Sequence, residues 1–298
     1  MIPTALPASA SSPGVPRDRV RPGRRGFAVA AALCCLVTAR PHSVSAQAAI
    51  GVDLDWNGNY VWRGLVRSNG QVLQGGLFAQ VGLGAVSLSG GSWTSLQLSS
   101  AEPGDWNDGG AGRLGWTELD WWGEVGVVTE PLDLRLGLVH YDYGGRDAVA
   151  RRTTNDDTQE LYARLTGSRL PLTPSAVAWW DVTRAKGGFV EGSLTAPLPL
   201  VPMFANLDVI ATAGASLGQE RDPADASETF VAERRGVTYV GLALAANLAS
   251  GPVTARMTLH AQLNLDDATR RVSITRSSRR LVWMGIGLGY ARRMGRGR

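Results

Sequence analysis

The amino-acid sequence predicts an all-β protein, a transmembrane antiparallel up-and-down β-barrel of about twelve strands. Three observations carry that expectation. A secretory leader opens the chain, apolar and polar residues alternate with period two through most of the remainder, and short and long connections take turns between the alternating segments.

The leader comes first. Arg17, Arg19, Arg21, Arg24 and Arg25 form a basic segment, "GFAVAAALCCLVTA" (26–39) is apolar, and "SVSAQA" (43–48) supplies small residues for cleavage after Ala46 or Ala48. The apolar run is too short to span a bilayer as a helix, so this is the layout of a signal peptide. The expected organisation is a signal peptide over 1–48 and a single outer-membrane barrel domain over 49–298.

Removing the leader changes the charge and redox picture. Residues 1–48 hold six of the 30 basic residues and one of the 26 acidic ones, leaving 24 and 25. The overall basicity therefore belongs to the leader, and nucleic acid is not an expected partner. Cys34 and Cys35 leave with it, so the exported chain cannot form disulfides. No later apolar stretch is long enough for a membrane helix.

The strands follow from alternation. In "IGVDLDWNGNYVWRG" (50–64), Ile50, Val52, Leu54, Trp56, Tyr60 and Trp62 share one parity, while Asp53, Asp55, Asn57, Asn59 and Arg63 share the other. "TELDWWGEVGVV" (117–128) and "VTARMTLHAQLN" (253–264) repeat the pattern. Two faces of opposite polarity mean two different solvents. Candidate strands lie near 50–64, 72–82, 86–94, 117–128, 132–142, 159–168, 174–182, 188–196, 204–217, 237–248, 253–265 and 279–291. In the last, Val282, Met284, Ile286, Leu288 and Tyr290 make an apolar face suited to a closing strand.

The connections separate a barrel from a soluble sandwich. "LGA" (83–85), "TEP" (129–131), "SRLPLT" (168–173), "PLPLVPM" (197–203) and "ASGP" (249–252) are short. They hold six of the nine prolines after the leader, and Pro174 follows directly on one of them, as expected where strands end. The segments 95–116, 143–158, 218–236 and 266–278 are longer and charged. A sandwich has no reason to sort connections this way, whereas a barrel has short periplasmic turns and long extracellular loops. The expected location is the outer membrane of a Gram-negative bacterium, crossed many times, with lipid as one partner and the barrel-assembly machinery as another. Tyr60, Trp62, Trp93, Trp116, Tyr143 and Trp283, near strand ends, are expected at the membrane interfaces.

The stretch "NYVWRGLVRSNGQVLQGGL" (59–77) carries a resemblance. It resembles the opening motif of the TorF-like porins, in which an aromatic-x-aromatic-Arg-Gly unit precedes a polar turn and Gln-Gly-Gly. "ELDWWGEVGVV" (118–128), "LGLVHYDYGG" (136–145), "TQELYARL" (158–165) and "GGFVEGSL" (187–194) follow in the same order, covering most of the chain after the leader. The resemblance implies an outer-membrane β-barrel whose solute is generally unassigned. The chain departs from the motif at "LVRSNG" (65–70), where Gln-Ser or Gln-Thr is expected, and its 95–116 and 218–236 segments are long.

Function is read from the polar parity. Asp53, Asp55, Arg63, Glu118, Asp120, Glu124, Arg135, Glu160, Arg164, Arg256, His260 and Gln262 are candidate pore-lining residues. Opposed acidic and basic groups around a hydrated lumen suit passive diffusion of small polar solutes or ions. The alternative is a closed barrel, structural or partner-binding, whose charges pair and plug the interior. A third reading is an outer-membrane enzyme using His140 and Asp142, which share one strand face, but no serine with a nucleophile signature lies nearby.

No catalytic residue, cofactor or metal is therefore expected. "DWNDGG" (105–110) and "NDD" (155–157) lack the spacing of a calcium loop. The glycines of "QGGLFAQVGLG" (74–84) lack the lysine and following helix of a phosphate loop; Lys186, the chain's single lysine, is far away. Within 59–84 the expectation is a first strand running to residue 64, an external turn at Ser68-Asn69-Gly70 and then the second strand. Tyr60 and Trp62 would face lipid, and Arg63 the lumen near its mouth.

Overall fold

Twelve long strands hydrogen-bond in a closed ring in the computed structural model. The structure describes residues 46–68, 70–99, 115–142, 157–167, 171–184, 186–198, 206–219, 235–266 and 279–294. In chain order the strands are β1 (Ala46–Asn57), β2 (Tyr60–Trp62), β3 (Leu65–Ser68), β4 (Val72–Leu83), β5 (Val86–Gln97), β6 (Gly115–Thr129) and β7 (Leu132–Asp142). They continue as β8 (Thr158–Gly167), β9 (Thr173–Asp181), β10 (Gly188–Leu198), β11 (Asn206–Gly218), β12 (Arg235–Ser250), β13 (Val253–Asn264) and β14 (Arg280–Met294).

Every wall strand is antiparallel to its neighbours, and β14 closes on β1 with Leu54 opposite Leu288. Closure leaves no unpaired edge, the condition for taking a sheet into lipid. The outer face is apolar where water would not tolerate it. Leu77 is 60% exposed, Leu242 55% and Val282 69%, and Ile50, Leu88, Leu136 and Leu161 stand out beside them. A continuous band of exposed aliphatic side chains around a polar interior is the surface of a membrane-spanning barrel.

The first predicted strand is shorter than its alternation suggests. β1 stops at Asn57, and residues 60–68 form a separate two-stranded sheet outside the barrel ladder, β2 against β3. The alternation that runs on through Tyr60 and Trp62 belongs to this hairpin, and the breakers Asn57-Gly58-Asn59 mark the real end. The turn that reverses the chain is Arg63-Gly64, with φ of 48° and 86°. Positive φ at both central positions is the type I′ geometry that matches strand twist in two-residue hairpins. Ser68, placed by sequence in an external turn, is the last residue of β3 and almost fully buried; its hydroxyl accepts a hydrogen bond from the Gly70 backbone N–H at 3.1 Å.

Candidate functional site

The hairpin β2–β3 is buried, so it sits inside the barrel. Tyr60, Val61, Leu65, Val66 and Ser68 are all at most 8% exposed, and their partners are inner-face residues of the wall. Tyr60 donates from its hydroxyl to Glu118 of β6 at 2.7 Å and packs against Trp93 of β5, ring centroids 5.7 Å apart. On the far side, Gln262 of β13 donates from Nε2 to the Gly64 carbonyl at 3.1 Å. A Cβ on Gly64 would stand 2.7 Å from the Tyr239 ring of β12, so glycine is needed there both for φ and for space.

Arg63, at the hairpin tip, is the centre of this arrangement. Its two terminal nitrogens grip the two carboxylate oxygens of Glu160 on β8, with Nη1 at 2.7 Å from Oε1 and Nη2 on Oε2. Nη2 also reaches the Tyr141 hydroxyl at 3.4 Å, and that hydroxyl donates to Glu160 at 2.9 Å. The guanidinium carbon lies 4.3 Å from the ring centroids of Trp62 and Trp179 and 5.4 Å from that of Phe189. A planar cation stacked on aromatic faces and held by a bidentate carboxylate combines the two strongest guanidinium contacts. Side-chain exposure is 6% for Arg63 and 3% for Glu160, so neither charge is left to water.

Further ionic groups line other parts of the inner face. Arg135 of β7 donates to Glu124 of β6 at 2.7 Å and to Asp133 at 3.0 Å. Glu124 also accepts from Tyr162 at 2.8 Å and Ser89 at 3.0 Å, and the Arg164 guanidinium lies 5.7 Å from the Tyr162 ring. Elsewhere on the inner face, Arg256 of β13 donates to Asp55 of β1 at 2.8 Å, with side-chain exposures of 34% and 22%. Strand β14 lies between them, and Gly287 makes the reach possible, because a Cβ there would collide with the Asp55 carboxylate. His260 stacks on Trp283, centroids 4.7 Å apart and planes 5° from parallel.

These positions can be set against the expectations. Asp53, Asp55, Glu118, Asp120, Glu124, Arg135, Glu160, Arg164, Arg256, His260 and Gln262 lie on the inward parity of their strands, and Arg63 reaches the lumen through the hairpin. The interface aromatics need correction. Tyr60 and Trp62 face the interior because the hairpin folds inward, and Trp93 and Trp283 are on the inward parity of β5 and β14. Each has a polar or aromatic partner inside that lipid could not supply. Trp116 faces outward, and its indole N–H donates to Thr94 at 2.9 Å. Tyr143, "DWNDGG" and Asn155-Asp156 lie outside the described residues. Among the described residues no group of acidic, histidine or cysteine side chains is arranged to hold a metal ion.

His140 and Asp142 share the outward parity of β7, with His140 opposite Trp121, which is 55% exposed. The residues that the sequence did not single out are the aromatics around Arg63: Tyr141, Trp179, Phe189 and Tyr239. Trp179-Trp180 reads as one ring per face, and it is: Trp180 is 51% exposed and Trp179 is 8%. Only the inward hairpin gives Trp179 a task. The signal available was the breaker at 57–59 followed by a two-residue Arg-Gly turn.

No family model matches the chain, and no curated protein matches it. Among solved structures it is similar to the COG4313 outer membrane channel from Pseudomonas putida F1, at 11% identity over 85% of this chain and 97% of that one, with a TM-score of 0.49. The KdgM porin in complex with disordered oligogalacturonate shares 8% identity over 81% and 98% of the two chains, with a TM-score of 0.42. Outer membrane phospholipase A from Escherichia coli shares 13% over 84% and 93%, with a TM-score of 0.41. A channel, a porin and an enzyme at such low identities do not choose among functions for this barrel.

Proposed function

We propose that this chain is an outer-membrane channel for passive diffusion of small polar solutes or ions, its bore narrowed by the β2–β3 hairpin. The resemblance to the TorF-like porins belongs to this reading. The observation that carries it is the contrast in exposure between two inner-face ion pairs. Arg63–Glu160 is sealed at the hairpin, whereas the Asp55–Arg256 side chains remain 22% and 34% exposed although both point into the barrel. Charged groups that stay accessible inside an apolar-coated cylinder mean a hydrated lumen.

The closed, structural barrel is the second reading, and the hairpin itself favours it. Single-channel recording on the refolded protein in planar bilayers separates the two. A conducting native barrel supports the channel. A barrel that keeps its heat-modifiable gel mobility but conducts only after residues 59–69 are replaced by a short Gly-Ser linker is a closed one.

A further inference from the structure

The grip on Arg63 is more elaborate than a structural tether requires. Four successive wall strands converge on one guanidinium: Tyr141 from β7, Glu160 from β8, Trp179 from β9 and Phe189 from β10. Trp62 covers it from the hairpin side. Carboxylate fork and aromatic faces together select a flat cation, and they would do so for any guanidinium of the right reach. Arg63 also sits at φ 48°, in a left-handed region where Gly, Asn or Asp is the usual occupant. A non-glycine residue held there marks a position kept for what its side chain does.

The hairpin is built to be separable. It forms its own two-stranded sheet, so its withdrawal leaves every rung of the barrel ladder in place. Glu160 is 2% exposed with Arg63 in place, and removing Arg63 would take its cation away and leave the carboxylate with the Tyr141 hydroxyl. A buried carboxylate beside aromatic faces then demands a positive guest.

We propose that the pocket formed by Tyr141, Glu160, Trp179 and Phe189 is a recognition site for small solutes carrying a guanidinium group, occupied in this structure by the chain's own Arg63. As a device for transport it rests on the channel reading: a cationic solute exchanges with Arg63 and frees the hairpin. As a binding site it stands independently.

The test uses the refolded barrel in lipid vesicles and methylguanidinium as probe. Arg63→Ala vacates the pocket, and the change in tryptophan fluorescence that disappears when Trp179→Phe is added reports its refilling. The expected result is a saturable change at millimolar methylguanidinium, with urea, a neutral molecule of similar shape, giving none. Adding Glu160→Gln should weaken binding by about tenfold or more, the loss expected for a charge-assisted hydrogen-bond pair. Equal responses to urea and methylguanidinium, or no effect of Glu160→Gln, would overturn the site.

A second variant, which removes the buried hairpin altogether, replaces residues 59–69 with the Gly-Ser linker and is read through the same Trp179-dependent change. Recovery of heat-modifiable mobility by either variant only when methylguanidinium is present supports the site. Failure of both to fold even then counts against it. If no version conducts but the titration succeeds, the channel reading falls and the binding site stands.

Discussion

The inner wall has two halves of opposite character. Strands β5–β9 present Trp93, Trp122, Tyr141, Tyr162 and Trp179 inward, together with Glu118, Glu124 and Glu160, all at most 8% exposed. Strands β11–β14 carry Tyr239, Arg256, His260, Gln262 and Trp283 on the same inward parity, but between them a run of small residues: Thr212, Gly214, Gly241, Ala243, Ala245, Thr254, Thr258, Gly285, Gly287 and Gly289. Both halves use the same ladder and the same apolar outer face, so the difference is not one of membrane fit. It is one of occupancy. Large side chains, with the hairpin packed mainly against them, fill one half, while the small ones leave more volume in the other. A twelve-stranded barrel lies between those packed solid by side chains and those wide enough for an open channel, so lining volume and inserted segments decide how much of its bore remains.

The largest effect should come from the packed half. Glu160→Ala strips the buried Arg63 guanidinium of its carboxylate, and breaking such a pair costs about 3–5 kcal/mol. Urea unfolding in vesicles, followed by gel mobility, is the measurement; a loss below about 1 kcal/mol would place this pair with surface ion pairs instead. Next comes a control that ignores the comparison. Leu242→Arg, on the lipid face of the open half, should cost about 2–4 kcal/mol near the bilayer midplane, whatever the lumen contains.

Smaller effects sharpen the contrast. Asp55→Asn, in the exposed pair of the open half, should change stability by less than about 1 kcal/mol. It should nevertheless shift the reversal potential in a salt gradient toward anions, because a negative charge leaves a hydrated wall. An unchanged reversal potential would mean that ions do not pass that wall. Smallest of all, His140→Ala should leave conductance unaltered, since the imidazole lies on the outward parity. A loss of lipid or peptide turnover in that variant, with folding intact, would instead favour the enzyme reading.

The two halves also differ in how far sequence alone could describe them. Along β13, Thr254, Arg256, Thr258, His260 and Gln262 alternate with Val253, Ala255, Met257, Leu259 and Ala261, and each side chain lies where period two places it. The same holds for β14 and for β6 from Glu118 onward; at the start of β6 a bulge turns Trp116 outward. The rule weakens where the residue is aromatic, because Trp and Tyr suit lipid interfaces and polar interiors alike. Residue type alone sends Trp93 and Trp283 to the interface, whereas their neighbours on the strand assign them inward. It fails at Tyr60 and Trp62, where an alternating run crosses from wall to hairpin without breaking parity.

Local pattern in the chain specifies the twelve wall strands, the faces of most of them, and the ends at which turns are short. These follow from local periodicity and from where proline and glycine interrupt it. Closure of the barrel is what sets residues 60–68 inward and brings Arg63 to Glu160, 97 residues away, between rings from three other strands. The reason is physical. A buried cation can be placed only where a carboxylate and aromatic faces converge, and that convergence exists only once the barrel has closed.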